Sequence, residues 1–195
     1  IGLLTACAAT SGAPAGALAT ELPARFEADV VRDDGRKPFA VLAFLGVEPG
    51  LTVLDVLASS GYYTEALANV VGLDGTVYAQ NPAMLLRFYG GRNDRALNAR
   101  LMGNRLPNVR RLDREFDDLG LVAGSIDVAV TALNFHDLYN RDPEQAAGIL
   151  AVLKGLLKPG GVLGIIDHNS NEGADHATLH RMPVADAIAA AEAAG

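Results

Sequence analysis

Between Pro49 and Pro82 the chain spells out a unit that leaves few folds open. Thr52 to Leu57 is a nearly continuous apolar run, the pattern of a strand buried on both faces of a parallel sheet. Small residues follow, Ala58-Ser59-Ser60-Gly61, and then Tyr62 to Val71 reads as a helix closed by Gly72. Thr76 to Ala79 is a second strand. Strand, tight bend, helix and strand make a βαβ crossover. Its bend opens at a helix N-terminus, where a ligand can approach bare backbone.

The alternation continues along the chain. Glu21 to Val31 reads as a short helix, Asp33 to Pro38 as a break, and Phe39 to Leu45 as a helix ended by Gly46 and Pro49-Gly50. Met84 to Arg105 is polar and Arg-rich, an irregular surface helix. Val109 to Leu112 and Ser125 to Ala132 are the third and fourth strands. Asp142 caps a helix with Pro143 at its first position and Gln145 in the capping-box place, and that helix runs to Leu157. Pro159-Gly160-Gly161 turns the chain into a fifth strand, Val162 to Asp167. A polar loop from His168 to Thr178 precedes a last helix that begins near Pro183.

This order predicts an α/β fold, a Rossmann-like open parallel sheet with right-handed crossovers and helices on both faces. Ligands of such sheets lie beyond the carboxyl ends of the strands, where strand order reverses. Those ends are Asp55 to Gly61, Gln80-Asn81, Asp113, Asn134 to Asn140 and Asp167-His168, and the polar residues of the chain gather there.

At 195 residues one domain is the natural unit. A net charge of −7 without a long Lys/Arg run argues against a dedicated nucleic-acid binder. No run of about 18 apolar residues is present, so no membrane-spanning helix is expected. The single cysteine, Cys7, rules out an internal disulfide framework and a Cys-based zinc cluster.

Residues 1–20 read apart from residues 21–195. Leu4-Thr5-Ala6-Cys7 resembles a bacterial lipobox, with cleavage before Cys7 and lipidation of its thiol, and the small-residue tract to Thr20 is then a tether. That reading implies an exported protein, periplasmic or anchored to a membrane by lipid. The plainer one, an unstructured leader with an incidental cysteine, leaves the protein cytoplasmic. Ile1 in place of Met, and a last helix that stops at Gly195 where another strand is expected, read as a fragment, the second feature implying a domain truncated at its C-terminus.

Val53-Leu54-Asp55 through Gly61, Leu157-Lys158-Pro159-Gly160-Gly161 leading into a strand, and the spacing of the five strands together resemble a class I S-adenosylmethionine-dependent methyltransferase. Arg36-Lys37-Pro38, Gly61 to Glu65, Tyr78 to Pro82, Phe135 to Tyr139, Asp167-His168 and Thr178 to Arg181 are similar to a bacterial group of predicted, often exported, methyltransferases. The similarity covers nearly everything after Asp29. It implies the strand order 3-2-1-4-5, with the usual sixth and seventh strands absent from this chain. It also implies S-adenosylmethionine as cofactor and methyl transfer to a small-molecule acceptor whose identity stays open.

The chain departs from that family at the bend. The acid is Asp55, but the three alternating glycine positions hold Leu57, Ser59 and Gly61. Leu57 brings a side chain where backbone usually faces the ligand, which narrows the pocket. The acid that grips the ribose is replaced by Gln80 and Asn81. A carboxamide can still bond both hydroxyls, without a charge. A non-catalytic ligand-binding protein on the same scaffold is therefore the alternative. A nicotinamide dehydrogenase ranks behind both, because its Gly-x-Gly-x-x-Gly turn is missing.

On the resemblance, Asp55 holds the ammonium of the cofactor's amino-acid part, and Ser59 and Gly61 offer backbone donors. The plainer reading of Asp55 is a cap for the next helix. Of Tyr62 and Tyr63, one packs in the core and the other lines the pocket. Gln80 and Asn81 bind ribose or form a plain turn. Asp113 meets the adenine amino group or belongs to the surface run that ends at Asp118. Asn134 lies between cofactor and acceptor.

His136 is the candidate general base, with Asp137 to orient it, since imidazole titrates near neutrality. Otherwise His136 bonds backbone and Asp137 caps the loop. Arg36, Asp167, His168 and His180 are candidates for the wall of the acceptor pocket. His136, Asp167, His168, His176 and His180 suit zinc or iron by residue type, but no tight spacing such as His-x-x-x-His occurs, so no metal site is assigned.

Overall fold

The computed structural model describes residues 21–171 and 173–195. The expected lipobox at Cys7 lies outside them. The elements run α1 (Glu27–Val30), α2 (Asp33–Arg36), α3 (Pro38–Phe44), β1 (Thr52–Val56), α4 (Tyr62–Val71), β2 (Thr76–Gln80), α5 (Ala83–Leu101), β3 (Val109–Leu112) and β4 (Ile126–Ala132). Then come α6 (Phe135–Arg141), α7 (Pro143–Leu156), β5 (Leu157–Ile166), α8 (His176–Leu179) and α9 (Val184–Ala193). The strands form one parallel sheet in the order β3-β2-β1-β4-β5, as expected from the sequence.

Alternation along the central strands splits the core in two. Val53 of β1 and Val128 and Val130 of β4 face α3 and α4. Leu54, Val56, Ile126 and Ala129 face α7 with Phe135. Successive strand residues point to opposite faces, so an apolar residue at every position needs helices on both sides. On α7 the apolar positions Ala146, Ile149, Leu150, Leu153 and Leu156 fall three and four apart and are buried. Asp142 starts that helix by accepting the Gln145 N–H at 3.0 Å, with Pro143 at the first position.

Three local expectations change. Asp33–Arg36 is one turn of helix where the sequence reads as a break, and the break itself narrows to Lys37 at φ 45°. Phe135–Arg141 is a helix where the sequence reads as a loop. Pro143 forces Asp142 into an extended conformation (φ −158°, ψ 96°), so two short helices abut and the first has no start signal of its own. The helix α5 is irregular, as expected, and breaks where Tyr89, Gly90 and Gly91 all take positive φ. β5 begins at Leu157, earlier than expected, and absorbs Lys158 to Gly161 as an irregularity between its pairings with Ile126 and Val128.

The Arg-rich helix is also less superficial than its composition suggests. Arg100 is 5 % exposed and reaches Glu65, which is fully buried on α4, and Asp29 on α1 at 2.7 Å. Arg105 closes on the other oxygen of Glu65. These pairs tie α1, α4 and the end of α5 together. Removing one member strands the others' charge in a dry interior, the costly direction for a buried pair.

Gly61 sits at the N-terminus of α4 with φ 86°, and a Cβ there would lie 2.9 Å from Leu97 Cδ1 and 3.0 Å from Arg100 Cδ. Any side chain would therefore press into α5. We predict that Gly61→Ala lowers stability by roughly 3 kcal/mol, from left-handed strain plus overpacking. Urea denaturation measures it, and an unchanged midpoint would contradict the packing described.

Candidate functional site

The sheet reverses its winding between β1 and β4, and the bend Leu57–Gly61 leaves β1 beside the end of β4. The bend is clamped from both neighbours. Gln80 Oε1 accepts the Leu57 N–H at 3.0 Å, and the Gln80 carbonyl accepts that of Ala58 at 2.9 Å. Asn81 Oδ1 accepts the Ser59 N–H at 2.7 Å, and its Nδ2 donates to the Ser59 carbonyl at 3.3 Å. From β4, Asn134 Nδ2 donates to the Leu57 carbonyl at 3.1 Å. Leu57 and Ser59 are thereby held at φ 56° and 54°, the left-handed region that glycine enters freely. All three alternating positions, Leu57, Ser59 and Gly61, take positive φ, so the backbone path survives without two of the glycines.

Two cavities meet at this bend, and Leu57 and Asn134 line both. The smaller, about 150 Å³, is bounded by Asp55, Ser59, Tyr62, Tyr63, Arg32 and Arg36. The larger, about 870 Å³, lies between the broken start of α5, the segment after β3, and α6 with α7. No helix fills the stretch between β3 and β4, and that leaves the larger cavity open. Its wall is apolar at Leu85, Phe88, Phe116 and Ile149 and polar at Asp137 and His180.

Asp55 is 2 % exposed, and burial pushes its carboxyl up to about 7, against hydrogen bonds from Thr64. The Thr64 hydroxyl donates to Asp55 Oδ2 at 2.6 Å. At the mouth of the smaller cavity the Tyr62 ring is flanked by the guanidinium groups of Arg25, Arg32 and Arg36 at 5.2, 4.7 and 4.9 Å. Its hydroxyl donates to Asp33 at 2.6 Å, and burial together with Asp33 pushes it up to about 12. Burial and neighbouring Arg32 lower Arg36. The smaller cavity thus has a carboxyl at its floor and guanidinium groups at its mouth.

Beyond β4 and β5, His136 is 4 % exposed. Its Nδ1 lies 2.7 Å from Asp167 Oδ1, and its backbone N–H donates to Asp167 Oδ2 at 3.0 Å. Its Nε2 lies 3.3 Å from Asp137 Oδ1, which also contacts His180 Nδ1 at 2.8 Å. The imidazole rings of His136 and His180 are edge-to-face, 5.6 Å apart.

Several residues expected at the site stand elsewhere. Gln80 and Asn81 are fully buried, line neither cavity and spend their carboxamides on backbone. The Ser59 and Gly61 N–H groups are taken by Asn81 and by the Ala58 carbonyl, so neither is a free donor. Asp113 is exposed and paired with Arg111. His168 is exposed and lines neither cavity. His136 is buried behind Asp137 and His180, and the residue orienting it is Asp167, which meets both its Nδ1 and its backbone N–H, while Asp137 reaches only the far nitrogen at 3.3 Å. Tyr62 and Tyr63 both pack in the core and both line the smaller cavity.

Sequence reasoning missed Arg32, Leu85 and Phe116. Arg32 reads as surface charge, and the other two read as ordinary apolar positions.

Asp55 gives this site a pH signature. An ordinary aspartate loses its proton near 3.8, and Asp55 in the folded chain near 7. Between those values the unfolded chain has released a proton that the folded chain keeps. The group therefore costs stability progressively as pH rises from about 4 to about 7. Asp55→Asn carries no such proton. Urea denaturation of both proteins should show the stability difference moving in favour of the variant across that window, and a constant difference would contradict the burial of a titrating carboxyl.

No protein-family model and no curated protein matches the chain. Solved structures do. A S-adenosylmethionine-dependent methyltransferase from Aquifex aeolicus is 26 % identical with a TM-score of 0.69, over 84 % of this chain and 81 % of that one. An arsenic(III) S-adenosylmethionine methyltransferase from Chlamydomonas reinhardtii is 21 % identical with a TM-score of 0.59, over 77 % of this chain and 53 % of that one. The cyclase SpnF is 15 % identical with a TM-score of 0.65, over 82 % of this chain and 56 % of that one. The last two show the fold alone. The chain has the Rossmann-like architecture found in class I S-adenosylmethionine-dependent methyltransferases.

Proposed function

We propose that the protein transfers a methyl group from S-adenosylmethionine to a small-molecule acceptor. The observation that carries this reading is the pair of cavities meeting over Leu57 and Asn134 at the switch point of the sheet. The smaller one offers complementary charge for a zwitterion, Asp55 for the ammonium and Arg32 and Arg36 for the carboxylate. The adenosyl part then passes over Leu57 into the larger cavity, where Leu85 and Phe116 supply apolar surface for the adenine.

The reactive sulfonium belongs to the cofactor, so the protein's part is to bind, orient and exclude water. The larger cavity has room for an acceptor beside the adenosyl group. Asp137 and His180 mark its polar end and His136, held by Asp167, backs them. An acceptor hydroxyl, thiol or amine placed there meets groups able to take its proton.

The likeness to the Aquifex aeolicus enzyme supports methyl transfer in general. A non-catalytic binding role, the alternative, draws support only from the occupied donors of the bend.

Calorimetry with S-adenosylhomocysteine tests the reading. We expect micromolar binding, weakened roughly tenfold by Arg36→Ala through loss of a charge-assisted contact. His180→Ala should leave that affinity within twofold while lowering methyl transfer by about a hundredfold. No heat with either the wild type or its S-adenosylmethionine titration removes the proposal.

A further inference from the structure

The geometry points to a divalent transition-metal site formed by His136 Nε2, Asp137 and His180. One ligand-capable atom from each residue lies within 4.8 Å of the others. The sequence hides the cluster, because α6 supplies two members and the end of α8 supplies the third. Asn140 Nδ2 donates to the Arg181 carbonyl at 3.0 Å and holds those two segments together.

The argument turns on one contact. Asp167 accepts at three points: Oδ1 meets His136 Nδ1 at 2.7 Å and the His168 N–H at 2.8 Å, and Oδ2 takes the His136 N–H at 3.0 Å. A carboxylate so placed puts the imidazole proton on Nδ1 and leaves the lone pair on Nε2. That lone pair faces Asp137 Oδ1 at 3.3 Å. Two acceptors confront each other, and a positive centre between them resolves the conflict. A carboxylate on the far nitrogen of a ligating histidine is the arrangement that orients metal-bound imidazoles.

Two imidazole nitrogens and one carboxylate oxygen suit zinc and its first-row neighbours rather than magnesium or calcium. Asp137 and His180 are exposed and line the larger cavity, so three protein ligands leave coordination positions open toward it. An acceptor oxygen bound there would lose its proton more easily. That consequence rests on the methyl-transfer reading; the ion site itself does not.

The test is calorimetric titration of Zn²⁺ into the metal-stripped full chain, with Co²⁺ absorption as a second readout. One ion per chain is expected, with micromolar or tighter affinity. His180→Ala and Asp137→Ala should each weaken it at least tenfold. Asp167→Asn should weaken it about 10- to 100-fold without touching the ion. His176→Ala, whose ring bonds Ser170 instead, should leave it unchanged.

Absence of Zn²⁺ heat, or undiminished affinity in His180→Ala and Asp137→Ala, overturns the site. S-adenosylhomocysteine titrated into the same metal-free protein separates the two readings. Zn²⁺ heat without nucleoside heat keeps the ion site and removes methyl transfer; the reverse removes the ion site alone.

Discussion

Everything at this site depends on the hydrogen bonds that close the bend after β1. Leu57, Ala58 and Ser59 donate their N–H groups to the end of β2, and Asn134 from β4 takes hold of the Leu57 carbonyl. A non-glycine residue in the left-handed region costs about 1–2 kcal/mol. Two such residues within three positions persist only because their surroundings over-determine them. The carboxamides of Gln80 and Asn81 do this work, and they are buried for it. The loss of two glycines and the replacement of the usual acid by Gln80-Asn81 are thus two sides of one adjustment. Side-chain bonds to the bend replace backbone freedom within it.

On the proposed reading, that adjustment moves ligand recognition away from the bend's backbone. With the N–H groups of Leu57, Ala58, Ser59 and Gly61 occupied, the charge complementarity around the smaller cavity comes from side chains, Asp55 below and Arg32 and Arg36 above. The two arginines arrive on or beside a short helix before β1. The ion pairs of Arg100 with Asp29 and Glu65 keep that N-terminal segment on the domain. The same architecture carries a cyclase as well as methyltransferases, so the site's chemistry rather than its fold must decide the activity.

Much of the fold was legible because apolar runs fix buried strands and amphipathic spacing fixes helices. Tyr62–Val71 and Val109–Leu112 coincide with their expected bounds, and the strand order follows from right-handed crossovers. The helix at Phe135 was not legible, since Pro143 and Asp142 announce only the helix after it. The site was legible as a place more than as a set of contacts. Asp55, Asn134 and His180 line the cavities, but the partnership of His136 with Asp167 spans 31 residues and leaves no spacing signal. Glu65 and Arg100 read as solvated helix charges because nothing local marks a pair that is buried by the packing of α5 on α4.

The central claim is that a nucleoside-bearing amino acid can lie across the clamped bend despite the bulk of Leu57. A crystal structure with S-adenosylhomocysteine at saturating concentration tests it most directly. The account predicts density running from Asp55 and Arg36, over Leu57, to Phe116, with the hydrogen bonds of the bend intact. Both cavities filled only by solvent, or the nucleoside bound away from the β1–β4 switch point, would contradict it.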